Sequence, residues 1–152
     1  EDPWSQYTFM QSAVHIVGIL HDSIESHALW TDRVFTINGS FNVKTAYIEY
    51  VTTDYKMRGK GFASQLLRHL VDTLTSLEYG LAALQPEDEA FYKKLGWISW
   101  CGDLYIKQDT STYLTDDYEI MLYPLSTKLT DRLSHRSEEN TICAEWREGE
   151  VW

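Results

Sequence analysis

Cysteine is scarce in this chain. Cys101 and Cys143 are too few for a disulfide framework, and neither sits at a metal-ligand spacing. The five histidines, His15, His21, His27, His69 and His135, show no metal spacing either. A lone strand histidine such as His15 or His27 is more often packed or hydrogen-bonded than catalytic, and none is assigned a role. No Cys/His or Ser/His/Asp pairing stands ready for covalent catalysis. Long apolar runs are missing, which excludes a transmembrane helix, and the start carries no signal-peptide pattern. A reducing cytosol is therefore the expected location. Repeats and low-complexity segments are absent. Basic residues are few: 13 Lys and Arg stand against 23 Asp and Glu, a net charge of −10. That balance argues against nucleic acid, whose phosphates need basic patches. It favours a cationic partner steered by an acidic cleft, although charge alone is explained more simply by solubility.

Aromatic residues are plentiful. Six Trp and ten Tyr bring the aromatic share to 14%, enough to line a pocket as well as a core. A length of 152 residues fits a single domain, spanning 1–152, that buries its own core. Residues 1–12 begin abruptly and read as the end of a helix whose earlier part is missing. Residues 13–20 read as a strand and His21-Asp22-Ser23 as a turn. Residues 25–37 read as a second strand, broken at the charged Asp32-Arg33 pair. Asn38-Gly39 is a strong hairpin signal, returning the chain as a third strand over 41–53. Consecutive strands joined by tight turns imply an antiparallel meander. A buried strand follows at 79–84, parallel to the third, then a short helix over 87–95 closed by Gly96, and a strand over 97–100. Residues 103–115 read as a loop or edge strand. Residues 119–123 form the last clear strand before Pro124, and the tail is polar until Cys143.

The stretch 47–77 joins an apolar, β-branched strand to an amphipathic helix through Arg58-Gly59-Lys60-Gly61-Phe62-Ala63. Phe62, Ala63, Leu66, Leu67, Leu70, Val71, Leu74 and Leu77 place one apolar stripe on that helix. Two glycines allow close backbone approach, and free N–H groups at a helix start attract phosphate. Arg58 and Lys60 add full positive charge. One carboxylate, Glu49, interrupts the apolar strand. This strand, turn and helix resemble the acetyl-coenzyme A pyrophosphate loop of the Gcn5-related N-acetyltransferases, whose signature Arg/Gln-x-x-Gly-x-Gly/Ala is filled by Arg58, Gly61 and Ala63.

The chain ends A-E-W-R-E-G-E-V-W, with Trp146 and Trp152 among charges. Tryptophans in such a terminus point to docking on the body or to a cleft lining. Together with Y-I-E-Y-V, G-W-I-S-W and T-D-D at 115–117, this ending resembles the aminoglycoside 2′-N-acetyltransferases. The resemblance covers most of the chain. It implies an α/β fold of the acetyltransferase superfamily: a mixed, mostly antiparallel central sheet flanked by helices and splayed open at the acetyl-coenzyme A site. It also implies that an initial strand and helix precede residue 1. The reaction implied is transfer of an acetyl group from acetyl-coenzyme A to an aminoglycoside 2′-amine, without metal. Homodimers are common among such proteins, though no stretch here marks an interface.

Acyl transfer to an amine needs a proton acceptor, a donor for the departing thiolate and a hydrogen-bond donor for the oxyanion. Glu49 is the candidate base, its carboxyl pushed toward working pH by desolvation in the strand. The resemblance makes Tyr92 the acid for the thiolate; without it, Tyr92 would read as a core aromatic. It assigns the coenzyme to the backbone of Arg58, Gly59, Lys60, Gly61, Phe62 and Ala63. Strand groups of Val51 and Thr53 then hold the pantetheine arm, and the Val51 N–H meets the oxyanion. For the acceptor it implies Asp2, Glu49, Gln85, Asp116, Asp117, Glu150 and Trp152 with its terminal carboxylate, the Trp152 ring packing on the sugar. A shorter loop before Tyr92 and glutamate in place of aspartate at 150 are departures from the family pattern in the acceptor pocket. Another cationic amine, such as a polyamine, amino sugar or peptide, stays open as acceptor, as does a non-catalytic binding module.

Overall fold

Positive backbone angles at two tight turns start the sheet. Val14–Leu20 (β1) and Ser23–Ile37 (β2) are joined at His21 and Asp22, with φ of 49° and 62°. Phe41–Thr53 (β3) follows Asn38 and Gly39, with φ of 51° and 68°. Such left-handed pairs match the twist of antiparallel neighbours, and asparagine and glycine tolerate them best. A computed structural model describes residues 12–134, 140–148 and 152. Asp2 and Glu150 lie outside them, as does His135.

After a 3-10 turn at Tyr55–Met57 comes the helix Phe62–Ser76 (α1), which buries Leu66, Leu67, Leu70 and Leu74. Each such side chain contributes roughly 1.5–3 kcal/mol of hydrophobic stabilisation, before ordering entropy is subtracted. Leu77 caps the helix and is half exposed, so the stripe ends one turn earlier than expected. Leu81–Leu84 (β4) then lies parallel to β3 at Thr45, Ala46 and Tyr47. The short helix Glu89–Lys93 (α2) starts two residues later than the pattern predicts. Asp88, in extended conformation, takes the N-cap and accepts from the Ala90 and Phe91 N–H groups. Gly96, with φ of 92°, ends the turn after it. Ile98–Ser99 (β5), Asp103–Gln108 (β6), Ser111–Leu114 (β7) and Met121–Pro124 (β8) complete the middle of the chain.

The sheet runs β5-β8-β4-β3-β2, continues through Thr141–Glu145 (β9), and ends with β6 and β7; β1 also pairs with β2. It is mixed and mainly antiparallel, its parallel pairs being β3 with β4 and β6 with β9. Three expectations need correction. The strand 25–37 is unbroken: Asp32 accepts the Tyr79 hydroxyl, and Arg33 lies over the rings of Phe35, Tyr47 and Trp152 while donating to the Glu145 carbonyl at 2.6 Å. Residues 103–115 form not a loop but a hairpin, turned at Asp109 with φ of 54°, whose second strand, β7, is an edge strand as the alternative expects. The polar tail holds a helix, Thr127–Ser134 (α3), which buries Leu129 and Leu133, and the strand β9.

Two apolar layers flank the sheet. On one face α1 and α2 cover Ala28, Trp30, Ala46, Ile48, Ala82 and Leu84. On the other, Phe35, Tyr47, Leu104, Ile142, Leu129 and Trp152 pack together. Because Cβ atoms alternate along β3, Glu49 shares the second face with Tyr47.

Candidate active site

Pairing between β3 and β4 ends at Tyr47↔Ala83, yet β3 continues to Thr53. Its edge on that side therefore has no strand partner beyond Tyr47 among the described residues, and the sheet opens there. Register against β2 shows an irregularity at the same place: His27 faces Thr52, while Leu29 faces Glu49. Between these pairs one residue of β2, Ala28, thus lies opposite two of β3, Tyr50 and Val51. The extra residue makes a bulge, in which Tyr50 takes a φ of 53°. The His27 ring is hydrogen-bonded to the Tyr50 backbone and sits 2.9 Å from His15 Nδ1. Burial and then His15 hold His27 below the usual imidazole range, with the Tyr50 bond acting in the opposite direction.

Opposite the bulge lies a cavity of about 460 Å³. The β3 residues Tyr47, Glu49, Val51 and Thr52 form one wall, and Leu84, Gln85, Pro86 and Glu87 form the other. Tyr92 and Trp152 close it. A second cavity of about 300 Å³ shares Gln85 and Pro86 with the first and adds Asp116, Asp117 and Glu119. Among the described residues, every charged residue in the two linings is a carboxylate: Glu49, Glu87, Asp116, Asp117 and Glu119. The structure thus gathers Glu49, Val51, Tyr92, Gln85, Asp116, Asp117 and Trp152 about two adjoining cavities. Thr53 and the 58–63 turn continue from that wall without lining it.

Glu49 has a partner that strand-level reading missed. Arg147 Nη2 donates to its Oε1 at 2.7 Å and Nη1 reaches Oε2 at 3.4 Å, with both side chains largely buried. Arg147 also donates to Thr31 Oγ1 at 3.1 Å and lies over the Tyr47 ring, 5.3 Å from its centroid. A guanidinium this close favours the charged carboxylate, opposing the desolvation expected from the strand alone. Nearby, burial and then the charge of Arg147 lower Arg33 to about 10, with Tyr47 and Glu49 acting the other way. The W-R-E-G-E-V-W tail was the available signal for this guanidinium.

Tyr92 is 8% exposed and packs edge-on against Phe91 and Trp97. Burial, then Glu87 and Asp88, raise its hydroxyl to about 12. The Trp152 indole is 2% exposed, edge-on to Phe35, and donates from Nε1 to Thr115 Oγ1 at 2.9 Å. Most of that ring is thus committed to the core rather than offered to a ligand. Trp146, by contrast, is 44% exposed.

The turn after β3 carries the features a phosphate cradle needs. Gly59 and Gly61 have φ of 75° and 86°. Gly61 is the N-cap of α1 and supplies no side-chain cap, so the first N–H groups of the helix have none. Arg58 Nε lies 3.4 Å from the Thr53 carbonyl, and Lys60 reaches Met57 Sδ at 3.5 Å. Thr53 Oγ1 is buried without a hydrogen-bond partner among the described residues. Those residues hold no group of three or more His, Cys, Asp or Glu placed for a metal, and no helix long and apolar enough to cross a membrane.

No curated protein matches the sequence. Among solved structures, the fold resembles the GNAT family N-acetyltransferase YhbS from Escherichia coli, solved in complex with CoA. The identity is 17% and the TM-score 0.61, over 88% of this chain and 66% of that one. A GCN5-related N-acetyltransferase from Kribbella flavida matches at 23% identity and TM-score 0.54, over 57% of this chain and 22% of that one. The KacTA–DNA complex matches at 17% identity and TM-score 0.57, over 84% and 76%. This chain spans about a fifth of the Kribbella protein and just under two thirds of YhbS. The model of the acetyltransferase (GNAT) domain matches residues 3–99, more than half of the sequence. With its open β3–β4 junction, bulged β3 and glycine-rich start to α1, the chain belongs to the acetyltransferase (GNAT) domain family.

Proposed function

We propose that this chain transfers an acetyl group from acetyl-coenzyme A to the amine of a polycationic small molecule, with the 2′-amine of an aminoglycoside as the acceptor. One observation carries the reading: Glu49 stands beside the β3 bulge in cavities whose charged lining groups, among the described residues, are all carboxylates. An acceptor bearing several ammonium groups finds counter-charges there at Glu87, Asp116, Asp117 and Glu119. The net charge of −10 supports a small cation over nucleic acid as partner. Asp2 and Glu150 remain further candidates by resemblance.

The residues present fit the coenzyme. Among the described residues the Gly59, Gly61, Phe62 and Ala63 N–H groups have no hydrogen-bond partner at this helix start, while those of Arg58 and Lys60 donate to the Tyr55 and Met57 carbonyls. The Arg58 and Lys60 side chains supply charge, and the β3 edge beyond Tyr47, without a strand partner among the described residues, suits an extended amide-bearing arm. Bound there, acetyl-coenzyme A supplies an activated acyl group. Glu49 takes the proton of the attacking nitrogen, directly or through water, as the N–C bond forms. Val51 lines the same cavity, and its N–H is the proposed donor to the carbonyl oxygen as that oxygen gains charge. Tyr92 holds its proton and faces the same cavity, placed to donate a hydrogen bond to sulfur as the C–S bond breaks.

Thiol release from acetyl-coenzyme A, followed across aminoglycosides with and without a 2′-amine, tests this. Glu49→Gln should lower turnover by roughly 10²–10⁴-fold while coenzyme binding persists. Turnover independent of the 2′-amine sinks the regiospecific claim and favours another cationic amine, which the same carboxylates would serve. No turnover with any amine favours a binding module.

A further inference from the structure

Glu49 and Arg147 are 98 residues apart in sequence and meet at 2.7 Å. Several independent contacts fix the guanidinium. β9 pairs with β6 as far as Lys107↔Glu145, and the Trp146 N–H extends that ladder to the Lys107 carbonyl at 2.8 Å. Arg147 is therefore set in register by a strand. Thr31 on β2, the Tyr47 face and both Glu49 oxygens also hold it. The two side chains are only 13% and 10% exposed, so this pair is not a screened surface bridge.

Resting on the reading of Glu49 as the base, we propose that Arg147 is a positioning residue. It holds the Glu49 carboxylate charged and in one orientation toward the cavity. Two consequences follow from its geometry. Two N–H donors of one planar fork on both carboxylate oxygens fix the plane of the carboxylate, which a single-point contact would leave free to rotate. In addition, a bare buried carboxylate would stabilise the acceptor's ammonium form and so oppose the deprotonation that attack requires. The guanidinium offsets that effect. A single carboxylate can thus accept a proton without trapping the cation it must deprotonate.

Among the described residues, the other titratable or charged groups near Glu49 include Arg33 and His27 on β2, His15 on β1, Tyr47 on β3, and Glu87 and Tyr92 across the cavity. Arg33 and Tyr92 do not change charge near neutral pH.

The test compares wild type, Arg147→Met and Arg147→Lys in the full chain by the pH dependence of kcat/KM, by kcat, and by KM for acetyl-coenzyme A. In Arg147→Met, kcat should fall roughly 10²-fold. Its acid limb should move up by about one to three pH units, with coenzyme KM unchanged. Arg147→Lys should restore the wild-type limb while kcat stays low, because an ammonium supplies the charge but not the fork. An acid limb that Arg147→Met leaves in place overturns this proposal alone. A wild-type profile lacking any limb that Glu49→Gln removes overturns the base assignment, and this proposal with it. Arg147→Lys reports even where Arg147→Met does not fold: full kcat in that variant overturns the proposal.

Discussion

Tyr92 keeps its proton. Burial, reinforced by Glu87 and Asp88, raises its hydroxyl to about 12, whereas a thiol titrates near ~8.5. Full transfer to a departing thiolate would be uphill, so within the proposed reaction the tyrosine lends a hydrogen bond rather than acting as the acid first expected. Tyr92→Phe should therefore lower kcat by roughly 10²-fold and leave the alkaline side of the pH–rate profile unchanged. An alkaline limb well below that value, lost in the phenylalanine variant, would restore the proton-donor role. At this scale the sequence was informative where a residue broke its local pattern. Glu49 stood out because it interrupts an apolar strand; Arg147 was legible only as part of the W-R-E-G-E-V-W tail, with no local cue that it meets Glu49.

Turn chemistry made several elements legible. The hairpin at Asn38-Gly39 and the stripe of α1 follow from residues adjacent in sequence or one helical turn apart. The β3 bulge was hidden, since an extra residue leaves Y-I-E-Y-V-T looking like an ordinary strand until its register with β2 is seen. β9 was hidden for a related reason. Ile142 and Ala144 are buried between partly or fully exposed neighbours, but five residues of weak alternation mark a strand only once β2 and β6 flank it. The start of α1 supports a prediction at this scale. Gly61 has a φ of 86°, and a Cβ there would meet only Gln65 Nε2 at 3.8 Å, so alanine introduces backbone strain rather than a clash. Gly61→Ala should cost about 1–2 kcal/mol for the left-handed conformation. Raised KM for acetyl-coenzyme A with kcat retained at saturation is expected in steady-state kinetics. An unchanged KM would remove this turn from the coenzyme site.

Across the whole molecule, the last residue is among its most buried. Trp152 lies against Phe35 and beneath the Arg33 guanidinium, bonded to Thr115, and lines the main cavity. Trp152→Ala should cost about 3–5 kcal/mol, read from urea denaturation, with a smaller loss for phenylalanine. Wild-type stability in the alanine variant would show that the ring contributes little to this core. The sequence alone determined what contiguous residues and summed charge can encode: a family-type strand, glycine turn and helix, and an acidic character suited to cations. Tertiary structure decided which groups meet. It placed Arg147 on Glu49, joined Gln85 to Asp116 and Asp117 across two adjoining cavities, and put the terminal tryptophan in the core. Those contacts depend on the parallel pairing of β6 with β9 and on the length of β2, which accepts β1, β3 and β9 together. Local periodicity carries no information about which distant strand becomes a neighbour.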